Sequence, residues 1–71
     1  MYTLRINYSG GQFKTYSDIE KVEYQTYMED VTVAGDEIST HKFTPGHDLH
    51  LFSKQRNYLV SHQGVVGIEV F

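Results

Sequence analysis

The chain has 71 residues, with no cysteine, no tryptophan, and six Lys and Arg against nine Asp and Glu, a formal net charge of −3. This length predicts a single domain over residues 1–71 with a thin core, and the lack of cysteine excludes disulfides and thiolate chemistry. No apolar segment reaches membrane-spanning length and the first residues do not resemble a signal peptide, so we expect a cytoplasmic protein with no membrane partner.

Strict two-residue alternation predicts strands at both ends of the chain. Apolar and polar side chains alternate over residues 2–8 and again over 66–70, which puts an apolar row on one face of each strand. The Ser-Gly-Gly sequence at 9–11 predicts a turn, because glycine supplies positive φ. A short second strand over 12–16 then completes a hairpin.

The next segment allows two interpretations. Ser17 and Glu20 have the spacing of a capping box, which predicts a helical turn near Ser17–Lys21. A helix over 18–31 would put several tyrosines on one face. Two short strands between residues 22 and 33 agree better with the β-branched and aromatic composition, so we favour strands.

The second half of the chain has short strands separated by turn signals. Pro45-Gly46 fits the two central positions of a type II turn. Further turns are expected at 34–37, 54–56 and 63–64. The strands predicted in this half are 38–43, 48–53, 57–62 and 65–71.

These segments predict an all-β fold, a small antiparallel β-barrel or curled sheet of about five to seven short strands with at most one helical turn, because strands recur about every eight to twelve residues. Apolar residues on one face of the strands form the expected core, which several tyrosines close. The expected core residues are Leu4, Ile6, Val22, Leu49, Leu51, Val66, Ile68 and Val70.

No motif for catalysis is present. Hydroxyl and imidazole groups are neighbours at Ser61-His62, but successive side chains of a strand point to opposite faces. The chain has no Gly-x-Ser-x-Gly sequence, and a thin core leaves little room for a sheltered pocket. We therefore expect no enzyme activity and no cofactor.

The histidines are the best candidates for metal ligands, because neutral imidazole binds zinc and similar metals. His47 and His50 are three residues apart, and this spacing puts them on opposite faces of a strand. We therefore expect no metal site and keep a histidine-cluster metal-binding protein as an alternative. Its candidate ligands are His41, His47, His50 and His62.

Binding of single-stranded nucleic acid is the main alternative function. Small β-barrels bind single strands by stacking bases on exposed aromatic side chains beside cations. The loop at 54–56 supplies such a cluster, and the candidate binding residues are Phe52, Lys54, Arg56 and Tyr58. Nine acids against six cations suit phosphate poorly, so we expect no nucleic-acid partner.

The sequence favours a non-enzymatic binding or interaction module. Acidic residues predominate between Asp18 and Glu37, whereas all four histidines lie between His41 and His62, and such asymmetry favours self-association. A thin core also gains from burial against a partner. We expect a protein partner, in particular a second copy in a homodimer, and from the chain's size we expect an accessory protein of a bacterium or its phage.

Overall fold

One antiparallel sheet of six strands and a single short helix make up the computed structural model, which describes residues 1–71. The strands are β1 (Tyr2–Tyr8), β2 (Phe13–Gln25), β3 (Asp30–Ala34), β4 (Leu49–Ser53), β5 (Asn57–Val60) and β6 (Val65–Val70), and the helix is α1 (Glu37–Thr40). The sheet is curled and not closed into a barrel, so the predicted all-β class and its curled-sheet form are confirmed.

The long strand β2 organises the sheet. Strand order is β5-β4-β2-β1-β6. On one side β2 pairs with β4, and on the other side its first half pairs with β1 and its second half with β3. Strands β5 and β6 therefore lie at the two ends of this order, and β3 has β2 as its one neighbour. No helix is long and apolar enough to cross a membrane.

A β-bulge interrupts β2 where the capping box predicted a helical turn. Between the pairs Tyr2–Ile19 and Leu4–Tyr16, β1 advances by two residues and β2 by three. Asp18 lies in this bulge with a φ of 58°, a left-handed conformation that aspartate tolerates better than most residues. The prediction of a helical turn near Ser17–Lys21 is therefore wrong, because the extra residue is absorbed within a continuous strand.

A second irregularity follows on the other side of β2. Between the pairs Ile19–Ser53 and Lys21–Phe52, β2 advances by two residues and β4 by one. Without this extra residue Ile19 and Val22, three positions apart, would point to opposite faces. With it, both side chains are fully buried on the same, inner face of the sheet.

The helical turn of the fold lies later, at α1, where a strand over 38–43 was predicted. Gly35 has a φ of 60° and turns the chain after β3. Ile38 of α1 and Phe43 beyond it are both buried. Residues 38–43 form a cover over the inner face of the sheet, and no neighbouring strand pairs with them, which is why the strand prediction is wrong here.

Tyr24 holds the segment that covers the core. Its hydroxyl lies 2.8 Å from Nε2 of His41, and its ring stacks on His47 with centroids 5.2 Å apart. The hairpin between β2 and β3 turns at 26–29, so the strands favoured between residues 22 and 33 are confirmed, although β2 starts earlier and ends at Gln25.

Ten apolar side chains form the core, and no polar side chain is buried among them. They are Leu4, Ile6, Ile19, Val22, Val33, Ile38, Phe43, Leu49, Leu51 and Val60. Of the predicted core residues, Ile68 and Val70 are half-buried, and Val66 is 61% exposed. The pairs Asn7–Gly67 and Tyr8–Val65 skip Val66, so a bulge turns this side chain outward.

Ile38 tests whether α1 seals the core. We expect Ile38→Ala to lower the free energy of unfolding by about 2–4 kcal/mol, because a fully buried side chain leaves a cavity. Leu59→Ala is the matched control, since Leu59 is 70% exposed and its loss should change stability little. Urea denaturation followed by circular dichroism measures both variants, and equal effects would contradict the burial of Ile38.

Candidate functional site

The predicted binding residues belong to the β4–β5 hairpin but do not share one face. Phe52 pairs across the sheet with Lys21, whose Nζ lies 4.4 Å from the ring centroid on the outer face. Tyr58 pairs with the buried Leu51 and faces inward. Its ring meets that of Tyr16 edge-on, with centroids 4.9 Å apart. The structure thus separates Phe52 from Tyr58.

The other three predicted residues, Lys54, Arg56 and Tyr58, line one cleft, which we call the basic cleft. Tyr16, Asp18 and several hydroxyl-bearing residues complete its lining. Its volume is about 500 Å³. The cleft lies between the β4–β5 turn and the bulge of β2. Tyr16 and Asp18 were missed by the sequence analysis, because the bulge that places them was interpreted as a helical turn.

Hydrogen bonds fix the turn that carries the two cations. The backbone N–H of Ser53 donates to the carbonyl of Arg56 at 3.0 Å, and its hydroxyl donates to the same carbonyl at 2.8 Å. The Ser53 hydroxyl oxygen also accepts from the backbone N–H of Arg56 at 3.1 Å. Lys54 therefore projects from a turn of defined geometry.

Burial at the edge of this cleft raises the pKa of Tyr16, and the neighbouring Tyr8 and Tyr58 raise it further. A tyrosine whose pKa is higher in the folded than in the unfolded protein contributes stability that is complete below pH about 10 and is lost as pH rises through the folded value. At neutral pH the Tyr16 hydroxyl is protonated and can donate a hydrogen bond.

Spectrophotometric titration checks the ionisation of Tyr16. We expect absorbance at tyrosinate wavelengths to show one group ionising above the ordinary tyrosine range, because ionisation there is opposed by burial and by neighbouring hydroxyls. In Tyr16→Phe this late step should be absent. Tyr27→Phe is the matched control, since Tyr27 is 99% exposed, and it should keep the late step. A late step that persists in Tyr16→Phe would refute the assignment.

Three of the four histidines line a second cleft of about 600 Å³, the histidine cleft, formed by His47, His50 and His62 with acidic side chains around them. His41 does not line it and is hydrogen-bonded to Tyr24 instead. The structure contains no group of three or more His, Asp or Glu residues with a geometry that could hold a metal ion.

Within the histidine cleft, Asp48 clamps His62. One carboxylate oxygen of Asp48 accepts from the backbone N–H of His62 at 2.8 Å and lies 2.6 Å from its Nδ1. These two hydrogen bonds lower the pKa of Asp48, the side-chain bond contributing most. The contact ties the Pro45-Gly46 turn to the chain that follows β5.

The Asp48 clamp predicts a loss of stability in acid. A carboxyl whose pKa is lowered on folding contributes stability that is present above its unfolded pKa, near 4, and is lost as pH falls through the folded value. We expect the melting temperature of wild-type protein to fall more steeply below pH about 4 than that of Asp48→Asn. Asp30→Asn, another exposed aspartate, is the control. Parallel curves for wild type and Asp48→Asn would contradict the clamp.

A row of exposed and half-buried apolar side chains lies along β6. Phe71 extends this strand, because its N–H donates to the carbonyl of Thr3 at 2.8 Å and its carbonyl accepts from the N–H of Thr3 at 3.1 Å. Hydrogen-bonded and non-hydrogen-bonded pairs alternate in an antiparallel ladder. The backbone N–H and C=O groups of Ile68 and Val70 therefore point away from β1, to the free side of the sheet.

We call this region the apolar edge, formed by Val66, Ile68, Val70 and Phe71. Val66 and Phe71 are 61% and 65% exposed, and Ile68 and Val70 are half-buried. The one charged residue of β6, Glu69, accepts a hydrogen bond from the side chain of Asn7 at 2.9 Å. Apart from the bulge at Val66, this apolar edge has neither the lysine nor the proline that often protects an edge strand against pairing with another strand.

The β2–β3 turn displays two further apolar side chains. Tyr27 and Met28 are 99% and 83% exposed. The hydroxyl of Thr26 donates to the carbonyl of Glu29 at 3.1 Å and accepts from the N–H groups of Met28 and Glu29. A well-defined turn thus holds both side chains in solvent.

Comparison with protein-family models, with curated proteins and with solved structures finds no match for this chain.

Proposed function

We propose that this protein is a non-enzymatic interaction module that self-associates by pairing the apolar edge with the same edge of a second copy. The observation that carries the proposal is the row of unpaired backbone groups at Ile68 and Val70, flanked by exposed apolar side chains. Pairing two such edges satisfies backbone donors and acceptors and buries apolar surface at the same time.

The sequence of β6 fits a two-fold antiparallel pair. With the axis at Ile68, Ile68 lies opposite its own copy, Val70 opposite Val66 and Glu69 opposite Gly67. The Ile68 side chain then meets its own copy on the inner face, and the carboxylate faces a residue without a side chain. An axis at Glu69 would bring two carboxylates directly together, which is unfavourable.

Self-pairing would also compensate for the small size of the core. Only ten residues are buried, and Ile68 and Val70, on the inner face of the outermost strand, remain half-buried. A neighbouring copy would cover part of this surface and add burial that a chain of this length lacks. An isologous contact of this kind closes as a dimer.

A single-stranded nucleic-acid platform on the outer face has weaker support. Phe52 and Tyr58, which such a platform needs side by side, face opposite sides of the sheet. Lys21 on the outer face is paired with Glu23 at 3.3 Å, so its charge is balanced.

The proposal includes a cytoplasmic location, because a core this small without cysteine lacks the cross-links typical of small secreted domains.

Light scattering coupled to size-exclusion chromatography tests the proposal. We expect a dimer mass at high micromolar concentration that shifts to the monomer mass in Val66→Lys, because a lysine on the edge opposes strand pairing. Leu59→Lys is the matched control on the opposite outermost strand, where the replaced side chain is 70% exposed. It should remain dimeric.

A second variant separates edge pairing from a general effect of charge. Val70→Pro removes an N–H group that faces the free side of the sheet and makes no bond to β1, a position where strands accept proline. It should be monomeric with a circular dichroism spectrum like that of wild type. A monomer mass for the wild-type protein at high micromolar concentration would overturn the proposal.

A further inference from the structure

The basic cleft gathers the unpaired positive charge of the β4–β5 turn. Among the cations, Arg5 lies 3.6 Å from Glu69 and Lys21 lies 3.3 Å from Glu23. Lys54 and Arg56 make no ion pair, although both are exposed and two positions apart in one turn. Asp18 is the one acidic residue among those that line the cleft, so the cleft favours an anion on a protein of net charge −3.

Aromatic surface lies beside these cations. Tyr16 and Tyr58 are half-buried, and their rings are in edge-on contact at 4.9 Å. Flat aromatic groups stack on tyrosine rings, and such stacking is largely independent of which base is present. The volume of about 500 Å³ lies within the range of small-molecule sites, about 300–1,000 Å³.

The backbone of the turn that carries the two cations is held in place before a ligand arrives. Ser53 fixes the turn that carries Lys54 through bonds to the backbone of Arg56. The Tyr16 hydroxyl is protonated at neutral pH, like that of any tyrosine, and can donate a hydrogen bond to a ligand. Binding therefore orders the two cationic side chains but not the turn that carries them, which limits the entropic cost.

We propose that the basic cleft binds a single nucleotide, with its phosphate on Lys54 and Arg56 and its base against Tyr16 and Tyr58. The site is independent of the apolar edge, since β4 and β5 lie at the opposite end of the strand order from β6. A longer strand gains little, because Arg5 and Lys21 each already have a carboxylate partner. The remaining lysines, Lys14 and Lys42, do not line the cleft.

Two sources share this chemistry, the free nucleotide and one residue of a nucleic-acid strand. Isothermal titration at low salt with adenosine 5′-monophosphate, adenosine, inorganic phosphate and an octathymidylate distinguishes them. We expect the monophosphate to bind best and to weaken with added salt, with adenosine and phosphate each bound at least about tenfold more weakly because each lacks half of the contacts.

Charge variants locate the site. Lys54→Ala/Arg56→Ala should weaken binding of the monophosphate by about tenfold or more. Lys21→Ala/Lys42→Ala removes the same amount of charge outside the basic cleft. Because neither residue lines the cleft, the affinity of this variant for the monophosphate should stay within about twofold of wild type. In an NMR titration of the wild-type protein with the monophosphate, the largest chemical-shift changes should be those of Tyr16 and Tyr58.

Three results would overturn this assignment. The first is no binding of the monophosphate by wild-type protein, and the second is equal weakening in the two double variants. The third is tighter binding of the octathymidylate than of the monophosphate, which would identify a strand-binding surface. Val66→Lys, the edge variant, should bind the monophosphate like wild type, so failure of the dimer leaves this test intact.

Discussion

The register of β2 is the constraint on which the rest of the structure depends. This strand contacts β1, β3 and β4, and one extra residue between Ile19 and Val22 lets both side chains face inward. If β2 were regular, one of the two would point to solvent and the inner face would lose a large part of its apolar surface. The neighbouring bulge, opposite β1, places Asp18 at the basic cleft. Two adjacent irregularities of one strand therefore shape the core and the cleft.

Cationic side chains have carboxylate partners on the outer face of the sheet but not at the β4–β5 turn. On the outer face, Arg5 and Lys21 each lie over a phenylalanine ring and near a carboxylate, so cation and anion balance beside exposed aromatic surface. At the β4–β5 turn, Lys54 and Arg56 have no such partner. Net charge alone hides this arrangement, because an excess of acids elsewhere outweighs two cations in one turn. Local electrostatics, rather than the sum, decides what each surface can recognise.

Alternation in the sequence was sufficient to predict the class of fold and the two terminal strands, because Leu4 and Ile6 obey the two-residue period. It failed where an extra residue enters a strand, since a bulge changes which face a side chain takes without changing composition. Val66, predicted in the core, is exposed for this reason, and Ser17 and Glu20 lie in a strand. The β4–β5 cations were found from their position in a loop. Their tyrosine partner at position 16 depends on pairing between strands, which a single sequence does not contain.

The two hairpin turns at 26–29 and 53–56 have the same construction. In each, a hydroxyl at the first position bonds to the backbone of the third and fourth residues, and the first N–H donates to the fourth carbonyl. None of these bonds uses the side chains of the second and third residues, which are Tyr27-Met28 in one turn and Lys54-Gln55 in the other. Mutation can therefore exchange those pairs while the hairpins stay intact. The fold carries two separate places where new recognition can evolve at little cost to folding.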